Sequence, residues 1–271
     1  MKLFIDSADF EEIKLVFESG VLDGVTTNPS LLKKAVEKMH KSGNKISLED
    51  YIKKILKLMK GKPVSLEVIG TNYEDMVREG LLLYKKFNPV AKNVYIKIPV
   101  NPSIDGKNND DGIKAIKTLS DKGIPINCTL VFTPEQALLA AKAGASFVSP
   151  FAGRIDDLIR QNSRIKFEKA DYFPAGGMEK KGKSLEDNGI YSGIDLVAKI
   201  KSIFENYGLK TEVLASSIRN PRQFREAAIV GADIATVSYS TIKELLVHEK
   251  TVEGVKKFTK DVVPEYRNLL K

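Results

Sequence analysis

The chain has 271 residues, of which 42% are hydrophobic and 29% charged, and its formal net charge is +8. This composition is typical of a soluble globular protein, and the length suits one α/β barrel of about 250 residues. The single cysteine excludes an intramolecular disulfide and a cysteine cluster for metal, and two histidines without ligand spacing argue against metal catalysis and Ser-His chemistry.

The sequence shows neither a membrane span nor a signal peptide. No uncharged apolar run approaches the roughly 20 residues needed to cross a bilayer, and the N-terminus is acidic within six residues. We therefore expect a cytoplasmic protein without membrane contact. The positive net charge raises the question of nucleic acid, but the lysines alternate with Glu and Asp on amphipathic helices and form no basic tail. We expect no nucleic-acid partner, with a minority of the cations serving an anionic small molecule.

Strand and helix signals alternate along the chain, which predicts a parallel sheet with crossover helices. Asp9 with Glu12, and Ser47, are the predicted N-caps of two helices in the first half. The first half contains, in order, strand 2–6, helix 9–18, a short strand within 24–30 that runs into a Pro-started helix, a polar segment near 40–46, helix 48–60, strand 63–68, helix 72–87 and strand 93–99.

The second half continues the alternation, with one long polar interruption at 160–192. That segment shows no periodicity, and we interpret it as an insertion on the active-site face. Eight strand signals with their helices predict a single-domain (β/α)8 TIM barrel over 1–271, with an extra C-terminal helix and loop insertions. The second half contains, in order, loop 101–111, helix 111–121, strand 124–131, a helix that Thr133 and Gln136 would cap, strand 146–149, segment 160–192, helix 193–206, strand 211–216, a helix from Asn220 to 231, strand 233–238 and helices near 240–248 and 252–270.

The fourth strand carries a lysine in an apolar context. Side chains alternate along a strand, so Val94, Ile96 and Ile98 share one face, while Tyr95 and Lys97 share the other. This pattern favours a barrel strand with helices outside and a reaction chamber inside. The alternative is a surface lysine on an edge strand.

Barrel enzymes gather their chemistry at the C-terminal ends of the strands. Within strands five and six, Asn127 shares a face with Thr129, and Phe151 shares one with Ser149. A cap or turn hydrogen bond is the better explanation of any single polar strand end, but seven such ends directed at one chamber favour a site. The polar residues at the strand ends are Asp6, Asn28, Glu67, Lys97, Thr129, Ser149 and Ser217.

A lysine among carboxylates indicates Schiff-base catalysis. A lysine amine attacks a ketone in its neutral form, and burial in general favours that form. The iminium that results withdraws electrons and permits cleavage of the neighbouring C–C bond. Asp6 and Glu67 are the candidate proton carriers.

An anion site is also predicted. Arg154 follows strand six, and the run 216–221 (SSIRNP) joins strand seven to a helix N-terminus. Backbone N–H groups there, the hydroxyl of Ser217 and the guanidiniums of Arg154 and Arg219 would hold a phosphate. The alternative for Arg219 is an ion pair with a nearby Glu.

Five sequence motifs together resemble those of transaldolases, and the nearest group looks like the small transaldolase and fructose-6-phosphate aldolase branch. The resemblance runs from residue 1 to about 260, with interruptions at 38–47, 100–109 and 160–192. The motifs are 4–8 (FIDSA), 24–30 (GVTTNPS), 95–99 (YIKIP), 127–130 (NCTL) and 149–157 (SPFAGRIDD).

The resemblance implies a class I mechanism that needs neither metal nor cofactor. Lys97 matches the Schiff-base lysine, and Asp6 matches the acid/base at the C4 hydroxyl of the donor. Glu67 and Thr129 match the pair that positions and activates the catalytic water. Further matches are Asn28, Asn127 and Ser149 for the dihydroxyacetone moiety of the donor, and Arg154, Ser217 and Arg219 for its phosphate.

Three positions separate transfer from cleavage within the branch. The aldolases look like they carry Gln at the position of Glu67, a small apolar residue at that of Ser149 and Tyr at that of Phe151. The resemblance thus favours a transaldolase of the pentose phosphate pathway, which moves dihydroxyacetone from sedoheptulose 7-phosphate or fructose 6-phosphate to an aldose phosphate. The alternatives are an aldolase that releases free dihydroxyacetone and a non-catalytic phosphate-ligand barrel. Small relatives form rings of five, often paired into ten, so a homo-oligomer is expected.

Overall fold

The computed structural model describes residues 1–41, 46–104 and 106–271, apart from the side chain of His40. The polar segment expected near 40–46 therefore falls largely on residues 42–45, which lie outside the described residues. No helix within the described ranges is long and apolar enough to span a membrane.

Eight parallel strands of the described chain close into a barrel, in the order β1-β10-β9-β6-β5-β4-β3-β2, which confirms the predicted (β/α)8 fold. The remaining two strands, β7 and β8, pair with each other as an antiparallel hairpin. The strands are β1 (Lys2–Asp6), β2 (Gly24–Thr26), β3 (Val64–Glu67), β4 (Val94–Pro99), β5 (Ile126–Val131), β6 (Phe147–Pro150), β7 (Glu179–Lys180), β8 (Lys183–Ser184), β9 (Glu212–Ile218) and β10 (Ile234–Val237).

Most helices begin at a side chain that caps them. Asp9 accepts hydrogen bonds from two backbone N–H groups of the first helix, and Thr133 forms a complete capping box with Gln136. The predicted role of Glu12 in capping was wrong, because its carboxylate instead accepts a hydrogen bond from Ser7 Oγ at 2.6 Å. The helices are α1 (Phe10–Glu18), α2 (Pro29–Lys41), α3 (Leu48–Leu58), α4 (Tyr73–Ala91), α5 (Asp111–Ser120), α6 (Pro134–Lys142), α7 (Ala152–Asn162), α8 (Gly193–Asn206), α9 (Pro221–Ile229), α10 (Tyr239–Leu245), α11 (Glu249–Lys260) and α12 (Pro264–Asn268).

Helices α4 and α7 differ from the sequence prediction, and the single helix expected near 252–270 is two helices, α11 and α12. Helix α4 passes the expected end at residue 87 and includes Pro89, which is exposed, so the carbonyl that loses its partner can be solvated. Helix α7 was not predicted, and its last residues belong to the segment 160–192 that was predicted to be an insertion. Its buried face includes Asp156 and Arg160, and these charged side chains concealed the apolar period that normally marks a helix.

Inside the barrel, a layer of apolar side chains lies below the polar side chains near the C-terminal ends of the strands. The Tyr95 and Phe147 rings stack with centroids 4.6 Å apart, and Phe4 meets Phe147 edge-on at 6.0 Å. Leu214 and Ile234 complete this interior cluster. The predicted alternation along β4 is observed, because its other face (Val94, Ile96 and Ile98) packs in the core between the sheet and the helices.

Two strands contain an extra residue near their C-terminal ends. In the pairing of β5 with β6, two residues of β5 (Thr129 and Leu130) lie opposite one residue of β6, Ser149. Leu130 has a left-handed backbone, with φ of 57°. In β9, Ser216 and Ser217 occupy the register shift, and the φ of Ser217 is 61°. Such bulges re-aim side chains beside active sites, and left-handed non-glycine residues persist only where the surroundings hold them.

Candidate active site

A cavity of about 470 Å³ opens at the C-terminal ends of the barrel strands. Lys97, Arg154 and Arg219 all line it, so one cavity brings together a candidate nucleophile and two cationic residues. The other lining residues are Asp6, Thr26, Asn28, Ser30, Leu31, Phe151, Lys169, Ala170, Ser216, Ser217, Ile218, Thr236, Val237, Ser238, Ser240, Thr241 and Glu244.

Lys97 is a buried amine with two oxygen partners. Strand β4 places it inside the barrel, where the residue is 5% exposed. Its Nζ lies 3.1 Å from Glu67 Oε2 and donates to the Thr27 carbonyl at 3.2 Å. A charge taken out of water costs several kcal/mol unless it is paired, so these two contacts make the buried position tenable. Glu67 is the register partner of Lys97 on β3, which explains the pairing.

Asp6 is held by Thr26, which in turn contacts Thr236. Thr26 Oγ1 donates to Asp6 Oδ1 at 2.7 Å and lies 2.6 Å from Thr236 Oγ1. All three residues line the cavity, and they come from the neighbouring strands β1, β2 and β10. The carboxylate is therefore fixed in direction while still reaching the cavity. This arrangement suits a group that must take up and return a proton at one place.

Four of the sequence-predicted residues do not line the cavity: Glu67, Asn127, Thr129 and Ser149. All four lie on strands of the barrel, and Glu67 and Asn127 are the register partners of Lys97 on β3 and β5. Ser149 Oγ donates to Asn127 Oδ1 at 2.6 Å. The Thr129 hydroxyl is buried without a hydrogen-bond partner among the described residues, so it stays available to a small molecule that reaches Lys97.

The cationic end of the cavity is built on α7 and the β9–α9 connection. Arg154 is exposed, and its guanidinium lies 5.0 Å from the ring centroid of Phe151. Arg219 Nε donates to the Ser217 hydroxyl at 3.1 Å, and its Nη2 pairs with Asp157 at 2.9 Å. The alternative reading of Arg219 as an ion-pair partner thus holds in part, with Asp157 in place of Glu.

Asn28 serves the fold as well as the cavity. Its Oδ1 accepts a hydrogen bond from the backbone N–H of Leu31 at 2.9 Å, within the first turn of α2. The side-chain oxygen of Asn28 therefore makes a capping hydrogen bond, which was the alternative explanation for a polar residue at a strand end. The residue also lines the cavity, and its amide nitrogen is the part that a ligand can use.

Several residues in and around the site were missed by the sequence reasoning. Thr26 and Thr236 lie next to Asp6, and strand parity could have found Thr236, because it pairs with the inward-facing Phe4. Ser65 is fully buried and accepts from Asn127 Nδ2 at 3.1 Å. Lys169 lies in the polar segment without periodicity, where no sequence signal pointed to the cavity.

A buried carboxylate connects this site to three helices. Asp156 Oδ1 accepts from the Gly193 N–H at 2.7 Å, and its Oδ2 accepts from Gln223 Nε2 at 2.8 Å. Gln223 Oε1 in turn accepts from the Arg219 backbone N–H at 2.8 Å. Burial raises the pKa of Asp156 from 3.8 to about 7; the Gly193 N–H, Arg160 and Arg219 oppose the rise, and Asp157 adds to it.

Replacing Asp156 with Asn should make the free energy of unfolding less dependent on pH. The folded state keeps the Asp156 proton until pH nears 7, whereas the unfolded state releases it near 3.8. The stabilisation of the folded protein by this group is therefore lost as pH rises through that window. We expect the free energy of unfolding of the wild type, relative to that of Asp156→Asn, to fall by up to about 4 kcal/mol between about pH 4 and pH 8. Urea unfolding at each pH, with Asp121→Asn as the surface control, measures this difference. A constant difference would contradict the expectation.

Comparisons with known proteins show which family the chain resembles. The family model described as "Transaldolase/Fructose-6-phosphate aldolase" matches residues 3–268. A "Probable transaldolase" of Thermodesulfovibrio yellowstonii is 43% identical over 96% of this chain and 97% of its own length. Proteins of the same name from Thermoplasma acidophilum (41% identical, 96% of this chain and 95% of its own) and Aquifex aeolicus (39%, 98% and 99%) are also similar.

A solved mandelate oxidase structure covers 88% of this chain and 65% of its own, with a TM-score of 0.48 and 12% identity, a likeness too low to bear on fold or function. The match to the family model spans nearly the whole sequence, and the relatives match over nearly their whole length. The chain therefore belongs to the transaldolase/fructose-6-phosphate aldolase family.

Proposed function

We propose that this protein is a transaldolase that transfers a dihydroxyacetone unit between sugar phosphates through a Schiff base on Lys97. The observation that carries the proposal is the buried Lys97 amine, 3.1 Å from Glu67, on the lining of a cavity that also contains Asp6 and a cationic end. Donors would be sedoheptulose 7-phosphate and fructose 6-phosphate, as in the pentose phosphate pathway.

In the proposed reaction, the Lys97 amine adds to the C2 carbonyl of the donor, and loss of water gives an iminium. Asp6 takes the proton of the C4 hydroxyl while the C3–C4 bond breaks, and the bonding electrons move into the iminium to give an enamine. An aldose phosphate leaves. The enamine adds to the acceptor aldehyde, whose oxygen receives the proton from Asp6, and water then hydrolyses the new iminium.

The interior polar residues support the two steps that involve water. Glu67 contacts the nitrogen that must lose and regain its protons, and the Thr129 hydroxyl is buried without a partner in the described part of the chain. We assign to this pair the positioning and activation of water. Asn28, Asn127 and Ser149 are assigned to the hydroxyls of the dihydroxyacetone unit, which needs donors and acceptors close to Lys97.

Transfer rather than cleavage is favoured by Glu67, Ser149 and Phe151. Phe151 lines the cavity and has no phenolic O–H, so it cannot help to protonate the bound enamine. An enamine that is slow to accept a proton from water persists until an acceptor aldehyde arrives. Release of free dihydroxyacetone, compared with transfer to erythrose 4-phosphate, tests this assignment, and an excess of free dihydroxyacetone would support the aldolase alternative.

The variant Phe151→Tyr should raise the release of free dihydroxyacetone relative to transfer, by about tenfold or more, because the new hydroxyl can assist enamine protonation. Phe132→Tyr is the matched control. The two rings lie 5.9 Å apart, but Phe132 is not on the cavity lining. Assays with and without erythrose 4-phosphate give the ratio. Equal effects of both variants would contradict the role assigned to Phe151.

We also propose that the protein is a cytoplasmic homo-oligomer, a pentamer or decamer. The support is the C-terminal pair α11 and α12, in which no residue is buried within the described chain. Val252, Val255 and Phe258 follow each other at helical spacing and are all exposed, as are Tyr266 and Leu269. An apolar surface of this kind favours contact with a second copy of the chain. The non-catalytic alternative is less well supported, because Lys97, Asp6 and Glu67 are all present.

A further inference from the structure

The guanidinium of Arg219 is largely occupied by the protein itself. Its Nε donates to the Ser217 carbonyl and hydroxyl at 3.2 and 3.1 Å, its Nη1 to the Lys169 carbonyl at 3.1 Å, and its Nη2 to Asp157 at 2.9 Å. A guanidinium has five N–H groups, so one on each terminal nitrogen remains. The ion pair with Asp157 also offsets the charge, and the Arg219 side chain is only 11% exposed.

A phosphate of the substrate therefore needs cations in addition to Arg219. It carries a charge of about −1.5 to −2 at neutral pH. Among the lining cations, Lys97 is paired with Glu67. Arg154 and Lys169 also line the cavity, and neither forms an ion pair with the residues that the structure describes. These two residues are the lining cations that no carboxylate of the described chain pairs, while Asp6 and Glu244 are carboxylates on the same lining.

Residues 169–172 lie on the segment after α7 and are anchored by their backbone. The carbonyl of Lys169 accepts from Arg219, and that of Ala170 accepts from Asn220 Nδ2 at 3.4 Å. Arg160 Nη2 donates to the carbonyls of Asp171 and Tyr172 at 3.0 and 2.8 Å. Four successive carbonyls are thus held by side chains of the barrel, which fixes the start of the Lys169 side chain beside Arg219.

Arg160, which holds two of these carbonyls, is itself rigidly placed. The residue is 4% exposed, and its guanidinium lies 5.0 Å from the ring centroids of both Phe167 and Phe173. These rings and carbonyls make the segment a docked part of the cavity wall. A lysine on such a segment loses less conformational freedom on binding an anion than one on a loose loop.

We propose that Lys169 is a phosphate-binding residue of this cavity, which makes the segment between α7 and α8 a determinant of preference for phosphorylated substrates. Lys169 and Arg154 provide cations that no carboxylate of the described chain pairs, and Arg219 and Ser217 line the same cavity. The inference builds on the proposed transaldolase function for its choice of ligand, but it rests on the lining, charge and anchoring of Lys169.

The test compares Lys169→Gln with Lys166→Gln, a control in the same segment whose lysine is exposed and does not line the cavity. Isothermal titration with inorganic phosphate should show an affinity about tenfold lower for Lys169→Gln and unchanged for Lys166→Gln, as expected for one lost charge-assisted hydrogen bond. Lys169→Arg should retain most of the wild-type affinity. The difference in phosphate affinity between wild type and Lys169→Gln should become smaller at high salt concentration.

Kinetics with fructose 6-phosphate add a second readout. Lys169→Gln should raise KM about tenfold with little change in kcat, because the phosphate is remote from the reacting carbons. Equal phosphate affinity in wild type and Lys169→Gln, or equal losses in both Gln variants, would overturn the proposal. Phosphate affinity is measured without turnover, so an inactive wild type with a selective loss in Lys169→Gln would refute the transaldolase function and leave the Lys169 site standing.

Discussion

Replacing Lys97 with Met should reduce transaldolase turnover by about 10⁴-fold or more, because it removes the buried amine that we assign as the nucleophile, and the other lining lysine, Lys169, is exposed. Met preserves most of the side-chain volume but leaves Glu67 without the partner that lies 3.1 Å away. Some loss of stability is therefore expected together with the loss of activity. Steady-state kinetics with fructose 6-phosphate and erythrose 4-phosphate measure the effect.

Lys85→Met is the matched control, since Lys85 is exposed on α4, outside the barrel. It should leave turnover and stability unchanged within about twofold, as surface substitutions usually do. Circular dichroism and thermal unfolding separate a chemical effect from unfolding. A folded Lys97→Met variant that keeps more than a few per cent of wild-type turnover would refute the covalent role.

Replacing Asp6 with Asn should slow cleavage by about 10²- to 10⁴-fold, the usual range for loss of a general acid or base. The amide oxygen can still accept from Thr26, which now donates to Asp6 Oδ1 at 2.7 Å, so the local structure should persist. The amine of Lys97 is untouched, and the Schiff base should still form. The expected signature is therefore slow turnover with normal trapping of the donor by borohydride.

Two outcomes would contradict the role of Asp6. One is wild-type turnover in Asp6→Asn, and the other is loss of borohydride trapping, which would place Asp6 in imine formation rather than in C–C cleavage. Asp121→Asn serves as the control, since Asp121 pairs with Lys117 on the protein surface. It should leave both turnover and trapping unchanged.

The sequence predicted the barrel and the interior position of Lys97 because both follow from period-two alternation in short apolar strands. That rule fails at the two bulges. In β9, the extra residue brings both Ser216 and Ser217 to the cavity lining, although a regular strand would send them to opposite faces. No glycine marks either bulge, so the left-handed residue Ser217 gave no local signal.

Other features depended on contacts between distant residues and were beyond sequence reasoning. Helix α7 was missed because Asp156 and Arg160 occupy its buried face, where their partners come from α8, α9 and residues 171–172. The pairing of Arg219 with Asp157 joins residues 62 positions apart in the chain. Lys169 lines the cavity on a segment whose carbonyls accept hydrogen bonds from distant side chains, such as that of Arg219.

The most direct test of the central claim is borohydride reduction of the wild-type protein in the presence of fructose 6-phosphate, followed by peptide mass spectrometry. Reduction converts the imine into a stable secondary amine and so marks the lysine that formed it. We predict that one donor-derived adduct forms on the peptide containing Lys97, and that it is absent when the sugar is omitted. An unmodified Lys97 in a protein shown to transfer dihydroxyacetone would contradict the Schiff-base mechanism.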